Sequence, residues 1–184
     1  MTDSPFRIET QRLLIREWRA EDRPGLERLT GDAQMMRYIT GGEVWNAERN
    51  DGLVARQQAH LAATGLCMGP VLLRATGEMI GVAGAQPLDR LPGFDLGWWI
   101  WRAYWNQGLA TEAAWAVYRH AFDRGGLDRL YAVIDPDNGA SRRVAEKLGM
   151  RLHGHSTADR TASWRPAVDV LLYLAERSGS RVLP

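Results

Sequence analysis

Cysteine and lysine are nearly missing from this chain. Cys67 is the only thiol, so no intramolecular disulfide framework and no Cys-x-x-Cys site can form, in keeping with a reducing compartment. Its neighbours Leu66, Met68 and Val71 suggest a buried strand, where a free thiol acts as a small apolar side chain. Lys147 is the only lysine; all other basic residues are arginines, interspersed with acidic ones to a formal net charge of +1. That balance lacks the basic patch of a nucleic-acid-binding domain. The longest apolar run, Leu96 to Trp101, is too short to span a bilayer, and Met1-Thr2-Asp3-Ser4-Pro5 has no apolar signal core. No nucleic acid and no membrane is expected as a partner, and the expected location is cytoplasmic. Repeats and low-complexity linkers are also lacking, so the 184 residues read as a single domain over 1–184, able to bury roughly 70% of its unfolded surface.

Several site signatures are absent too. Neither Gly-x-Gly-x-x-Gly nor Gly-x4-Gly-Lys-Ser/Thr occurs, which argues against dinucleotide and P-loop chemistry. Gly154-His155-Ser156 begins like a nucleophile elbow, but position 158 is Ala158 and no histidine follows His155. His153 and His155 have no evident third ligand, so no metal site is expected.

What is present alternates between strand and helix patterns. Strands are expected at about 11–18, 67–74 and 78–86, the last two joined by Ala75-Thr76-Gly77. Helices are expected over Asp22 to Leu29 and Ala47 to Ala63, separated by a Gly-containing segment from Gly31 to Trp45. A fourth strand, Asp95 to Trp101, is dense in aromatic and β-branched residues. Ala114, Val117, Tyr118, Ala121 and Phe122 share one helical face, and Gly125 stops that helix. Leu130 to Ile134 reads as a strand covered on both faces, and Val144, Ala145 and Leu148 line a short helix ending at Gly149. Further strands fall at 151–156 and 168–174. This order indicates an α/β or α+β fold with a mixed sheet.

Chemistry is concentrated at Trp105-Asn106-Gln107-Gly108-Leu109-Ala110-Thr111-Glu112, between the fourth strand and the long helix. At a strand–turn–helix junction, amides without intrahelical partners point outward beside the positive end of the helix dipole and can hold a phosphate or pyrophosphate. Gly108 permits close approach, Ala110 keeps the first turn thin, and Thr111 adds a hydroxyl. A plain helix start is the alternative.

The run NQGLATEA at Asn106 to Ala113 follows a Gly-Trp-Trp-Ile strand. Asp137-Asn138-Gly139-Ala140-Ser141 and Glu146-Lys147-Leu148-Gly149-Met150 come after it. Together these motifs resemble the acetyl-CoA motif and downstream helix of the GNAT N-acetyltransferase superfamily. With Thr10-Gln11-Arg12-Leu13-Leu14-Ile15-Arg16 at the start, the branch most resembled is that of the ribosomal-protein N-terminal acetyltransferases. The resemblance runs from about residue 8 to 175, taken as the core of the domain. It implies a strongly twisted mixed β-sheet flanked by helices, with strands four and five splayed. It implies acetyl-CoA as co-substrate, its pyrophosphate at Asn106, Gln107, Gly108, Leu109, Ala110 and Thr111, its pantetheine arm along Trp99 and Ile100, and Asn138 near the thiol end. The chain departs from the pattern with Trp105 for the usual Gln or Arg and Asn106 for the branch's usual Gly. A third departure is Ala145, where many relatives carry a tyrosine that protonates the leaving thiolate; Ser141, one turn earlier, is the replacement the branch suggests.

An alkyl amine with a pKa of ~10 must lose a proton before it attacks a thioester. Asp95, where this branch often carries a glutamate, is the candidate base through water; a solvated strand-end carboxylate is the alternative. Tyr38 and Trp45 are candidate acceptor-binding residues, since acceptors in this superfamily enter beside the first helices. The expected enzyme moves an acetyl group to a primary amine, either a peptide or protein N-terminus or a small molecule, by direct attack. The alternatives are a catalytically silent CoA-binding sensor or interaction module, and a structural domain without CoA. A homodimer is left open.

Overall fold

The chain begins with two short antiparallel strands, β1 (Arg7–Glu9) and β2 (Leu13–Arg16), whose residues Ile8, Leu13 and Ile15 are buried. The computed structural model describes residues 6–163 and 166–177, so the ends of the expected 1–184 domain lie outside the described residues. Three helices follow: α1 (Arg23–Thr30), α2 (Ala33–Thr40) and α3 (Ala47–Thr64). A buried ion pair joins β2 to the start of α1, with Arg16 Nη1 and Nη2 donating to the Asp22 carboxylate at 2.8 and 2.9 Å.

β3 (Met68–Leu73), β4 (Met79–Pro87) and β5 (Phe94–Ile100) form an antiparallel meander. A register shift between Val71 and Leu72 puts an extra residue into β4. Ile80 and Ala83, of opposite parity, therefore both enter the larger core. Then come α4 (Leu109–Asp123), β6 (Arg129–Ile134), α5 (Gly139–Lys147), β7 (Arg151–Thr157) and β8 (Asp169–Glu176). The eight strands lie in the order β1-β2-β3-β4-β5-β6-β8-β7, and all neighbours are antiparallel except β5 and β6.

The apolar faces divide into two principal cores. Val117, Ala121 and Phe122 of α4 and Ala145 and Leu148 near α5 pack on Leu96 and Leu130. Trp18, Leu26, Leu29, Met35 and Leu53 pack with Met68 and Val82. The mixed sheet flanked by helices is the fold expected. The numbering shifts by one, because the three-residue β1 gives too little alternation to be read in advance, so the expected strands four and five are β5 and β6.

One expected loop is a helix. Within 31–45, Asp32 caps α2 by accepting from the amides of Gln34 and Met35 at 2.9 and 3.4 Å, and Gly41 ends it at φ +75°. Met35 and Met36 are its buried residues, too few for a clear period over eight positions.

Candidate functional site

β5 and β6 pair only at Phe94–Leu130 and Asp95–Tyr131, and beyond these residues they separate. The splay expected of the central strands is therefore present. Asp95 sits at its apex, 4% exposed, and its Oδ1 accepts the Val133 amide at 3.1 Å. A side-chain acceptor thus replaces the carbonyl that a continuing parallel ladder would have offered Val133. The slot opens into a cavity of about 1280 Å³ lined by β5, β6 and the starts of α4 and α5, and on its other side by α2 and α3.

The cavity is where nearly all the sequence-predicted residues meet. Asp95, Trp99, Ile100, Asn106, Gly108, Leu109, Ala110, Thr111, Asn138, Ser141, Tyr38 and Trp45 all line it. Gln107 does not: its side-chain amide donates to Ala103 O at 3.3 Å and its carbonyl accepts from Arg12 Nη1 at 3.0 Å. Gln107 was expected to offer its backbone to the pyrophosphate; its side chain and its carbonyl anchor the turn.

That turn is built for exposed amides. Asn106 has φ +60° and Gly108 φ +76°, two left-handed residues in three. The departure from the branch's usual glycine is thereby explained, since asparagine is among the best tolerated non-glycine residues there. Gly108 is the N-cap of α4 and brings no side-chain acceptor, and the first intrahelical bond is Glu112 N–H to Gly108 O at 3.0 Å. The amides of Leu109, Ala110 and Thr111 make no hydrogen bond among the described residues. Trp105, the other departure, ties the turn to the strand: its indole N–H donates to Ile100 O at 2.6 Å.

A second support comes from the other end of the chain. Glu112 accepts from the Thr10 hydroxyl at 2.6 Å, the Arg12 amide at 3.0 Å and Arg12 Nε at 2.6 Å. Burial works against its ionisation, but these donors outweigh it and hold the carboxyl below the usual range.

On α5, Asn138 is the N-cap and its Oδ1 accepts the Ser141 amide at 3.0 Å. The Ser141 hydroxyl makes no hydrogen bond among the described residues and lines the cavity, so the capping belongs to Asn138. Ala145 is fully buried in the core and does not line the cavity, so the empty tyrosine position and Ser141 differ in surroundings despite lying one turn apart.

At the far end of the cavity, Trp45 meets Trp99 edge-on, with centroids 6.0 Å apart and an interplanar angle of 77°. Gln57 bridges the floor, donating to Gln86 Oε1 at 2.7 Å and accepting the Met68 amide at 2.8 Å. Sequence reasoning missed Arg49 and Arg56, which line the cavity from α3 two turns apart, and Arg143 and Lys147, which line it from α5. The available signal was cation spacing along one helix face. Cys67 is buried, and burial, with the Glu17 carboxylate, pushes its thiol up to about 12, which removes it as a nucleophile.

The model of the acetyltransferase (GNAT) domain matches residues 12–151, and the chain belongs to that family. An N-acetyltransferase of Bacillus subtilis, YnaD, is 33% identical over 147 residues, covering 80% of this chain and 84% of that protein. An acetyltransferase structure from Agrobacterium tumefaciens superposes with a TM-score of 0.79 at 24% identity, over 96% of this chain and 98% of that one. The ribosomal L7/L12 α-N-protein acetyltransferase RimL, solved with coenzyme A, superposes with a TM-score of 0.75 at 21% identity, over 92% and 97%. The chain is thus an acyltransferase of the GNAT type, as its motifs suggested.

Proposed function

We propose that the protein is an acetyl-CoA-dependent N-acetyltransferase that moves the acetyl group directly to a primary amine. The observation that carries this reading is the coincidence of the opened β5–β6 slot with the three unbonded amides at 109–111. These amides fit a diphosphate at a helix N-terminus, and the cavity is large enough for the cofactor and an acceptor together. The likeness to RimL, which was solved with coenzyme A, supports the same choice of donor.

The chain's own groups then divide the work. Leu109, Ala110 and Thr111 amides hold the diphosphate, and the edge of β5 at Trp99 and Ile100 receives the extended arm. The acceptor enters between Tyr38 and Trp45. Asp95 takes one proton from the ammonium group through water; the nitrogen lone pair attacks the acetyl carbon, the C–N bond forms, the C–S bond breaks, and the second proton lost by the nitrogen passes to the departing thiolate, which leaves as the free thiol. The Ser141 hydroxyl donates a hydrogen bond to the sulfur as it gains charge. No covalent bond to the enzyme forms. Such an enzyme works in the cytoplasm, where acetyl-CoA is made and used.

The test is thiol release from acetyl-CoA with N-terminal peptides and small amines supplied in turn. The RimL acceptor makes α-amino peptides the first to try. Amine-dependent release supports the reading; acetyl-CoA binding with no release for any amine favours the silent sensor module.

A further inference from the structure

We propose that the acceptor is an α-amino acyl compound with a large apolar side chain, and that Gln86 reads the carbonyl next to its amine. The proposal rests on the acetyl-transfer reading and narrows it from primary amines in general to one class.

Gln86 lies directly opposite Asp95 in the β4–β5 ladder, so the two side chains leave the same face of the sheet, about 5 Å apart at Cβ. Gln86 is 3% exposed and lines the cavity. The orientation of its amide follows from its neighbours. The Met68 N–H can only donate, so the Gln57 atom that receives it at 2.8 Å is the oxygen, and the Gln57 nitrogen then donates to Gln86 Oε1 at 2.7 Å. The other Gln86 atom is therefore Nε2, with two N–H donors and no hydrogen bond among the described residues. Such donors beside a carboxylate match an α-amino acyl unit, whose ammonium nitrogen and carbonyl oxygen are three bonds and about 3 Å apart. An alkylamine offers the carboxylate its cation but leaves the buried donors unpaired, and that cost makes such a site selective.

The same face of β5 continues toward an apolar end. Side chains two positions apart on a strand share a face at a spacing of about 7 Å, so Gly97 and Trp99 follow Asp95. Gly97 brings no side chain, and the Met68 thioether covers it: a Cβ there would meet Met68 Cε at 2.5 Å. Trp99 meets Trp45 edge-on, and Tyr38 and Leu53 line the same cavity. An acceptor held by its amine at Asp95 therefore lays its side chain over a thioether and toward two indoles, surfaces that suit large apolar and aromatic groups. A polycation finds less: among the described residues lining the cavity, carboxylates and cations are equal in number, four of each, and give it no net attraction.

Thiol release from acetyl-CoA on the intact chain, with phenylalaninamide, alaninamide and phenethylamine as acceptors, tests the assignment. Rates are compared at equal free-amine concentration, because an α-amino group and an alkylamine differ in pKa. The kcat/KM for phenylalaninamide should exceed that for either of the others about tenfold. Gln86→Glu keeps the oxygen to which Gln57 donates and loses the donors; it should remove the preference over phenethylamine, chiefly through KM, and retain the preference over alaninamide. Gln86→Leu, which adds no charge, should do the same, and Trp45→Ala should do the reverse. Free phenylalanine and a peptide beginning with phenylalanine, run in parallel, show whether the carbonyl belongs to a carboxylate or to a chain; turnover of either supports the class. Phenethylamine or alaninamide turned over as well as phenylalaninamide, or an equal loss for all three in both Gln86 variants, overturns the proposal and leaves acetyl transfer standing. Thiol release with no amine at all overturns both.

Discussion

Glu112 in the first turn of α4 and Arg12, the residue before β2, 100 positions apart in the chain, are joined by a backbone and a side-chain hydrogen bond. Arg12 also reaches the Gln107 carbonyl. One arginine therefore fixes both the turn before the helix and the helix itself, which sets the direction of the amides at 109–111. The arginine of the opening Thr-Gln-Arg motif acts as a brace for the turn before α4.

Removing the brace should loosen the turn before it unfolds the protein. Glu112→Ala is expected to cost about 1–3 kcal/mol, since it leaves the Thr10 and Arg12 donors without their acceptor. Its folded-state pKa is depressed, so this stabilisation is present above the unfolded value of about 4.3 and lost as the pH falls through the folded one. The gap in melting temperature between parent and variant should therefore be full at pH 7 and close in acid. A gap independent of pH counts against the ionic brace.

Asp95 has two separable tasks. Its Oδ1 bonds the Val133 amide, and an asparagine can keep that bond while losing the negative charge. Asp95→Asn should melt close to the parent and acetylate at least ~10²-fold more slowly near neutral pH, with partial recovery at alkaline pH. Asp95→Ala should lose stability as well, by about 1–3 kcal/mol, because a buried amide loses its acceptor. Should Asp95→Asn show the parent's pH–rate profile, the carboxylate is only the wedge at the apex of the slot.

Ser141 and Asn138 should behave in opposite ways. Ser141→Ala deletes a hydroxyl with no hydrogen bond among the described residues, so the melting temperature should hold while kcat falls ~10²-fold. Asn138→Ala removes the acceptor for the Ser141 amide and should cost about 1 kcal/mol of stability. A Ser141→Ala enzyme with turnover within threefold of the parent leaves the departing thiolate to solvent.

Gly108→Val should weaken coenzyme A binding through the backbone. An added Cβ meets only Arg12 Nη2 at 3.7 Å, an ordinary contact, so space is not the obstacle. The obstacle is φ +76°, which a β-branched residue reaches at a strain of about 1–3 kcal/mol. The turn should relax away from it and scatter the amides, and calorimetry should show the loss in affinity.

Local signals in the sequence determined most of the architecture. The apolar face of α4, the both-sides-covered β6, the hairpin residues Ala75-Thr76-Gly77 and the glycine at 108 each act within a few positions, where period and backbone preference decide the outcome. The strand–turn–helix junction at 105–112 was legible for the same reason, whereas the fit of Asn106 there needed its φ of +60°. What only the tertiary structure decided lies between distant segments. The charge of Asp95 could be read, but its bond to Val133, 38 positions on, depends on where β5 and β6 part. The Arg12 brace needs β2 brought beside α4, and the division of roles between Asn138 and Ser141 needs the helix start fixed to the residue. Lys147 shows the limit most plainly: its rarity is visible in the sequence, but only the packing of α5 beside the slot places its charge against the cavity. Periodicity is a property of neighbours along the chain, whereas a binding site is a property of neighbours in space.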